Sequence, residues 1–260
     1  MDPRMSEWMN LIFRWAHVIA GVMWIGHLYF FNFVNSHVAK TFDADSKKKV
    51  VPELMPRALY WFRWGAAWTW LTGILLLGIV YYMGGNLLEA GSQMSVGMGT
   101  GISLAVIIVG FVVYDILWQS PLKKNPFAGT VVSLILVAAV SWWLSTILSG
   151  RAVFIHIGAL FGTAMAANVW MRIWPAQRKI ITAIKNGQAP DAALPALAAM
   201  RSKHNTYMSV PLLLLMVSNH YPTVYGGPQG WVYAIGFVVV GFLLTWWLYN
   251  KSGSAAPAKF

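Results

Sequence analysis

Cysteine is absent from this sequence. No disulfide, no thiolate-held iron–sulfur cluster and no CxxCH attachment of a c-type haem can be built from it. Charge is scarce too: charged residues make up 10% of the chain, where a soluble domain carries about 25%. Acids are scarcest, 8 against 19 Lys and Arg. Apolar residues fill the gap, at 58% of 260 residues with a mean hydropathy of +0.57. So much apolar surface cannot be hidden inside a globule of this size. A soluble enzyme, a disordered chain and a secreted disulfide scaffold are excluded, and an integral membrane protein remains. The net charge of +11 points to basic cytoplasmic loops in such a protein, not to nucleic acid.

Seven apolar stretches are long enough, or nearly so, to cross roughly 30 Å of hydrocarbon at about 1.5 Å per residue. They cover about 10–34, 64–83, 100–119, 128–149, 152–174, 205–221 and 230–249. Backbone polar groups must be satisfied inside lipid, so each is expected to be a helix. The runs are continuous rather than alternating, which excludes a transmembrane β-barrel. The expected fold is all-α, a bundle of about seven transmembrane helices forming a single polytopic domain over 1–260. The first span is too long for a cleaved signal, and no small-residue cleavage site follows it.

Sixteen of the 19 Lys and Arg fall after spans one, three and five and in the tail. Only Arg4, Arg14 and Arg151 fall on the other side. This predicts the N-terminus outside and the C-terminus inside, in a bacterial inner membrane. Within the long inside loops 35–63 and 175–204, Ile180, Ile181 and Ile184 fall at helical spacing, as do Leu194, Leu197 and Met200. Each set predicts a short amphipathic helix on the membrane surface or on neighbouring helices. The tail KSGSAAPAKF reads as disordered.

Polar groups at membrane depth are costly and mark functional candidates. The orientation places His17, His156 and His220 at an outer level and His27 and His204 at an inner one, with His37 at or beyond the inner interface. Imidazoles on facing helices at one depth are how a bundle ligates haem iron, so one or two b-type haems are expected, with His17 and His156 the favoured metal ligands. Gly158, Gly162 and Ala166 form a small stripe that gives either porphyrin clearance or close helix packing. Asp115 is the one acid well inside a span; a histidine or tyrosine is its expected partner, in a proton-moving or structural role. Arg14 and Arg151 snorkel to the interface, neutralise haem propionates or bind an anionic substrate. No catalytic residue is assigned: phosphate loops, HExxH, paired carboxylates and a Ser–His–Asp order are all lacking.

The blocks RWAHVIAGVMWIGHLYFFNFV, PRALYWFRWGAAWTWLTG, ANVWMRIWPAQRKIITAIKNG and RSKHNTYMSVPLLLLMVSNHYP resemble the membrane domain of the bacterial membrane-bound urate hydroxylases, and the likeness runs over nearly the whole chain. That resemblance implies an oxidoreductase of purine catabolism that converts urate towards 5-hydroxyisourate and hands electrons to cytochrome c. Members of that type carry a C-terminal c-type cytochrome domain. With no CxxCH here, the electrons are expected to leave to a separate c-type cytochrome or into a larger membrane complex. Two other readings stay open: a non-catalytic or electron-conducting subunit of a respiratory or photosynthetic complex, and a transporter of a small organic ion. The short sixth span with Pro211 hints at the unwound segment a transporter uses.

Overall fold

The computed structural model describes residues 2–254, which form helices and connecting turns and no strand. Seven helices are long. They are α1 Pro3–Val38, α2 Ala44–Tyr82, α3 Val96–Leu117, α4 Pro126–Ser145, α5 Gly150–Lys185, α6 Ala193–Val217 and α7 Gly230–Ser254. Side-chain oxygens start five of them. Asp2, Asp43, Ser95, Asn125 and Ser149 each accept a backbone N–H of the following turn, which satisfies donors that a helix start leaves free.

Six of the seven are long and apolar enough to cross a membrane. The exception is α6, which supplies the expected sixth span: it carries Arg201, Lys203, His204 and Asn205 ahead of its apolar half. It is nonetheless central, packed between α5 and α7. Large apolar side chains such as Trp15, Val22, Ile108 and Leu243 are exposed on the outward faces of the bundle, a surface suited to lipid and costly in water.

The long inside loops are mostly helical. α2 starts at Ala44, and α5 runs on to Lys185, so the predicted amphipathic segments are extensions of long helices rather than separate surface helices. Their apolar faces drive this, because Ile180, Ile181 and Ala198 are buried against the bundle. α6 also runs through Pro211 unbroken. Gly241 of α7 makes room for that proline, since a Cβ there would lie 2.7 Å from its ring. The unwound segment anticipated for a transporter is therefore not formed. Residues 251–254 of the expected tail continue α7, and the rest lies outside the described residues.

Helix approach is closest where glycine allows it. A Cβ at Gly65 of α2 would sit 3.0 Å from the backbone nitrogen of Trp24 in α1. The stripe on α5 serves the same purpose: Gly158 and Gly162 face Met216 and Leu212 of α6. That space is filled by side chains, so the packing reading of the stripe holds.

Candidate functional site

Three of the long helices contain one widened π turn each: Phe30–Asn35 in α1, Leu77–Tyr82 in α2 and Asn168–Ile173 in α5. Such turns shift the facing of the side chains after them and gather at functional sites. Each π turn here borders a polar cluster.

At one end of the bundle, the π turn of α2 presents Tyr81 and Tyr82 to His156 of α5, with ring centroids 6.0 and 6.3 Å apart. His156 is fully buried. Its Nδ1 lies 2.6 Å from the Ala152 carbonyl oxygen. A carbonyl only accepts, so Nδ1 carries the proton and Nε2 keeps a bare lone pair. Among the described residues nothing bonds to that Nε2. Tyr81 donates to Asn219 Oδ1 at 2.5 Å, and Arg151 reaches the same oxygen and Asn86 Oδ1, each at 3.3 Å. Arg151 meets only these neutral amides and the face of Tyr81; no carboxylate pairs with it among the described residues. Arg151 thus stands beside the ring that covers the enclosed imidazole, whereas exposed Arg14 bonds Asn10 one turn earlier on α1.

His17 lies deeper, with Nδ1 3.1 Å from Thr72 Oγ1. Thr72 commits its own proton to the Trp68 carbonyl at 2.6 Å, so His17 is the donor and again keeps Nε2 free. His27 repeats the pattern through the Met23 carbonyl at 2.7 Å. The predicted outer level does not form as drawn. His220 is exposed in the turn Ser218–His220, because α6 ends before it and the chain turns there. His17 and His156 meet α2 at different heights, at Thr72 and at Tyr81–Tyr82. No hydrogen bond or ring contact joins two histidines, and no cluster of three His, Asp or Glu forms among the described residues.

The other end is organised by charge. Asp115 of α3 accepts a two-pronged hydrogen bond from Arg172 of α5 and one from Gln119, and its Oδ1 lies 2.9 Å from Arg201 Nη2 of α6. Arg201 is fully buried. It donates to Asn168 Oδ1 at 3.3 Å. Asn168 donates to Asn205 and to the Tyr114 hydroxyl, both at 2.8 Å, and that hydroxyl is 3.0 Å from His204 Nδ1. His204 packs on Trp118 with ring centroids 4.1 Å apart.

The expected histidine or tyrosine partner of Asp115 is thus replaced by two arginines. The sequence pattern places Arg201 in the inside loop 175–204; α6 begins at Ala193, early enough to carry it into the bundle. A sequence signal existed: Asn168 with Arg172, and Arg201 with Asn205, stand one turn apart on their helices. This network clamps three helices together, a structural role.

The two ends answer differently when an iron porphyrin is tested against them. At His156 an enclosed imidazole has its Nδ1 tied to a carbonyl and its Nε2 bare, the tautomer and orientation that metal-ligating histidines adopt. Arg151, paired with no carboxylate among the described residues, suits a propionate. The bare Nε2 of the Tyr81 end therefore suits iron; at the Asp115 end the carboxylate is taken up by two arginines, and the unpartnered nitrogens, Arg201 Nε and Nη2, are cationic N–H donors that hold no metal.

A helical bundle girdled by exposed apolar side chains, with an enclosed imidazole and an unmatched cation at one end, has the build of a polytopic membrane protein with an internal polar site. The sequence matches the urate oxidase N-terminal family over residues 3–50 and 41–259, and the chain belongs to that family. No curated protein and no solved structure matches it.

Proposed function

We propose that this chain is a membrane redox protein of the urate-hydroxylase type in the bacterial inner membrane, holding b-type haem non-covalently and delivering electrons to a c-type cytochrome. Family membership carries the urate chemistry; the bare Nε2 of His156 carries the haem. Oxidation of urate by water to 5-hydroxyisourate releases two electrons and two protons, so an electron acceptor is required for balance. The haem, when bound, supplies one-electron transfer.

The protein's own residues do the rest. His156 offers Nε2 to the iron, and the Ala152 carbonyl holds its ring in place. His17, whose Nε2 is also free, meets α2 at a different height, at Thr72, and would hold iron only at a place distinct from that of His156. Arg151 offsets propionate charge. Tyr81 and Tyr82 exclude water from the imidazole. The N-terminus lies outside and the C-terminus inside, so His156 is near the outer surface. A cytochrome then docks near Trp8, Tyr221 and Tyr225; Trp8 and Tyr221 are exposed.

Three experiments test this reading. The purified protein, expressed with ample haem, should show a Soret band whose position shifts on dithionite reduction. His156→Ala should remove that band or move it towards high spin. Adding a soluble c-type cytochrome from the same source should start urate consumption. Bound, reducible haem with no urate consumption after that addition would leave an electron-conducting subunit as the better account. A colourless protein sinks the haem. For orientation, a reporter after Phe260 should read cytoplasmic and one near Gly91 periplasmic.

A further inference from the structure

A cavity of about 470 Å³ lies at the opposite end from His156, within the usual range for small-molecule sites, about 300–1,000 Å³. It opens between the π turn of α1, the first half of α2, the end of α5, the start of α6 and the end of α7. Three aromatic rings wall it. Phe31 meets Phe62 edge-on with centroids 5.4 Å apart, and Tyr249 stacks on Tyr207 at 15°. Asn32 fixes that Tyr249 wall: it accepts from the tyrosine hydroxyl at 2.9 Å and donates to Ser202 and to the Leu28 carbonyl. Asn32 is therefore fully used.

Two other amides of the lining are not. Asn35 reaches only the weak acceptor Met55 Sδ, at 3.9 Å. Gln177 has no hydrogen-bond partner among the described residues. Both are part-buried. Lys40 and Lys203 stand at the rim, Lys203 with its ammonium 5.5 Å from the Tyr249 ring. The lining contains no carboxylate, and neither lysine pairs with one among the described residues.

These features select a ligand class. Unmatched lysines and the lack of acids favour an anion. Flat aromatic walls favour a planar ring. Free amides each present a donor and an acceptor side by side, the pattern that complements the N–H and C=O of a ring lactam. A tetrahedral phosphate asks instead for cations or backbone N–H groups converging on one point, and here the cations are at the rim with amides and rings inside. We propose that this cavity binds a planar oxopurine anion, gripped by Asn35 and Gln177 at its amide edges and by Lys203 for its charge. The inference rests on the proposed urate chemistry and adds a place where urate is captured: Gln177 and His156 are 21 residues apart on α5, about 30 Å at 1.5 Å per residue, so the electrons leave elsewhere. The cavity also abuts the bundle interior, because Phe31 lies 6.4 Å from the His27 ring.

The test is equilibrium dialysis of labelled urate against the full chain in zwitterionic nanodiscs, without added cytochrome so that bound urate is not consumed. The wild type should bind urate, with competition from xanthine and not from inorganic phosphate. Asn35→Leu and Gln177→Leu should each weaken binding about tenfold, near the upper range for one lost hydrogen bond. Lys203→Glu should weaken it more, Lys203→Arg should largely preserve it, and Lys124→Glu, remote from the cavity, should leave it unchanged. The three positions sit on different helices, so misfolding of one variant leaves two to read. Unchanged urate binding in folded variants at all three positions would overturn the site while the functional reading stands. Equal displacement by phosphate would overturn it in favour of a headgroup site. A wild type that neither binds urate nor consumes it with cytochrome added would remove both readings together.

Discussion

His156 and Arg201 are equally enclosed, and the bundle treats them in opposite ways. Around His156 the neighbours are tyrosines and neutral amides, and one ring nitrogen is left with nothing. Around Arg201 the neighbours are Asp115, Asn168 and Tyr114; its Nε and Nη2 make no hydrogen bond, but the Asp115 carboxylate gives it a counter-charge at 2.9 Å, and a chain of hydrogen bonds runs from Asn168 to the next helices. A buried polar atom without a partner costs stability, so the His156 end gives up stability where a ligand can repay it. The Asp115 end spends its polar groups on holding α3, α5 and α6 together. Removing a side chain at each end separates binding from stability.

The largest effect is expected at Asp115. Asp115→Asn leaves two arginines without a counter-charge, one of them fully buried, and breaking such a pair costs about 3–5 kcal/mol. Denaturant unfolding in detergent should show it. Arg172→Met should cost less than Arg201→Met, because Arg172 is the more exposed of the two. Equal, small losses at both positions would show that the network is not the clamp described.

His156→Leu sharpens the contrast. It removes the hydrogen bond to Ala152, a cost of about 1 kcal/mol, yet should abolish haem absorbance. A large loss of stability with colour retained would reverse the assignment of the two ends. Tyr81→Phe frees Asn219 Oδ1 from one of its two donors and should cost about 1 kcal/mol, with a change in the haem spectrum rather than its loss.

The smallest effect belongs to the surface. The Ser46 backbone N–H and then its side chain hold the Asp43 carboxyl below the usual carboxylate range. Its cap on α2 is therefore present at neutral pH and is lost as pH falls through that lowered value. Asp43→Ala should lower the melting temperature slightly at pH 7, and the difference from wild type should vanish in acid. A difference that persists at the lowest pH would mean the cap is not the cause.

Composition and hydropathy by themselves determined that the chain is a helical membrane-type bundle, roughly where its long helices run, and that His156 is a residue to watch. They did so because apolar length and helical periodicity are properties of neighbours in sequence. Family likeness was legible for the same reason, in contiguous blocks. The partners of Asp115, the exposure of His220 and the unequal heights of His17 and His156 were decided only by tertiary structure. So were the helical continuation into the supposed loops and the cavity at Asn35 and Gln177. Each depends on how distant helices are rotated and shifted against one another, and π turns in three of them change that rotation by an amount hydropathy does not register. Arg201 shows the reason most plainly: its charge marked it for water, and the carboxylate that lets it stay buried lies on another helix.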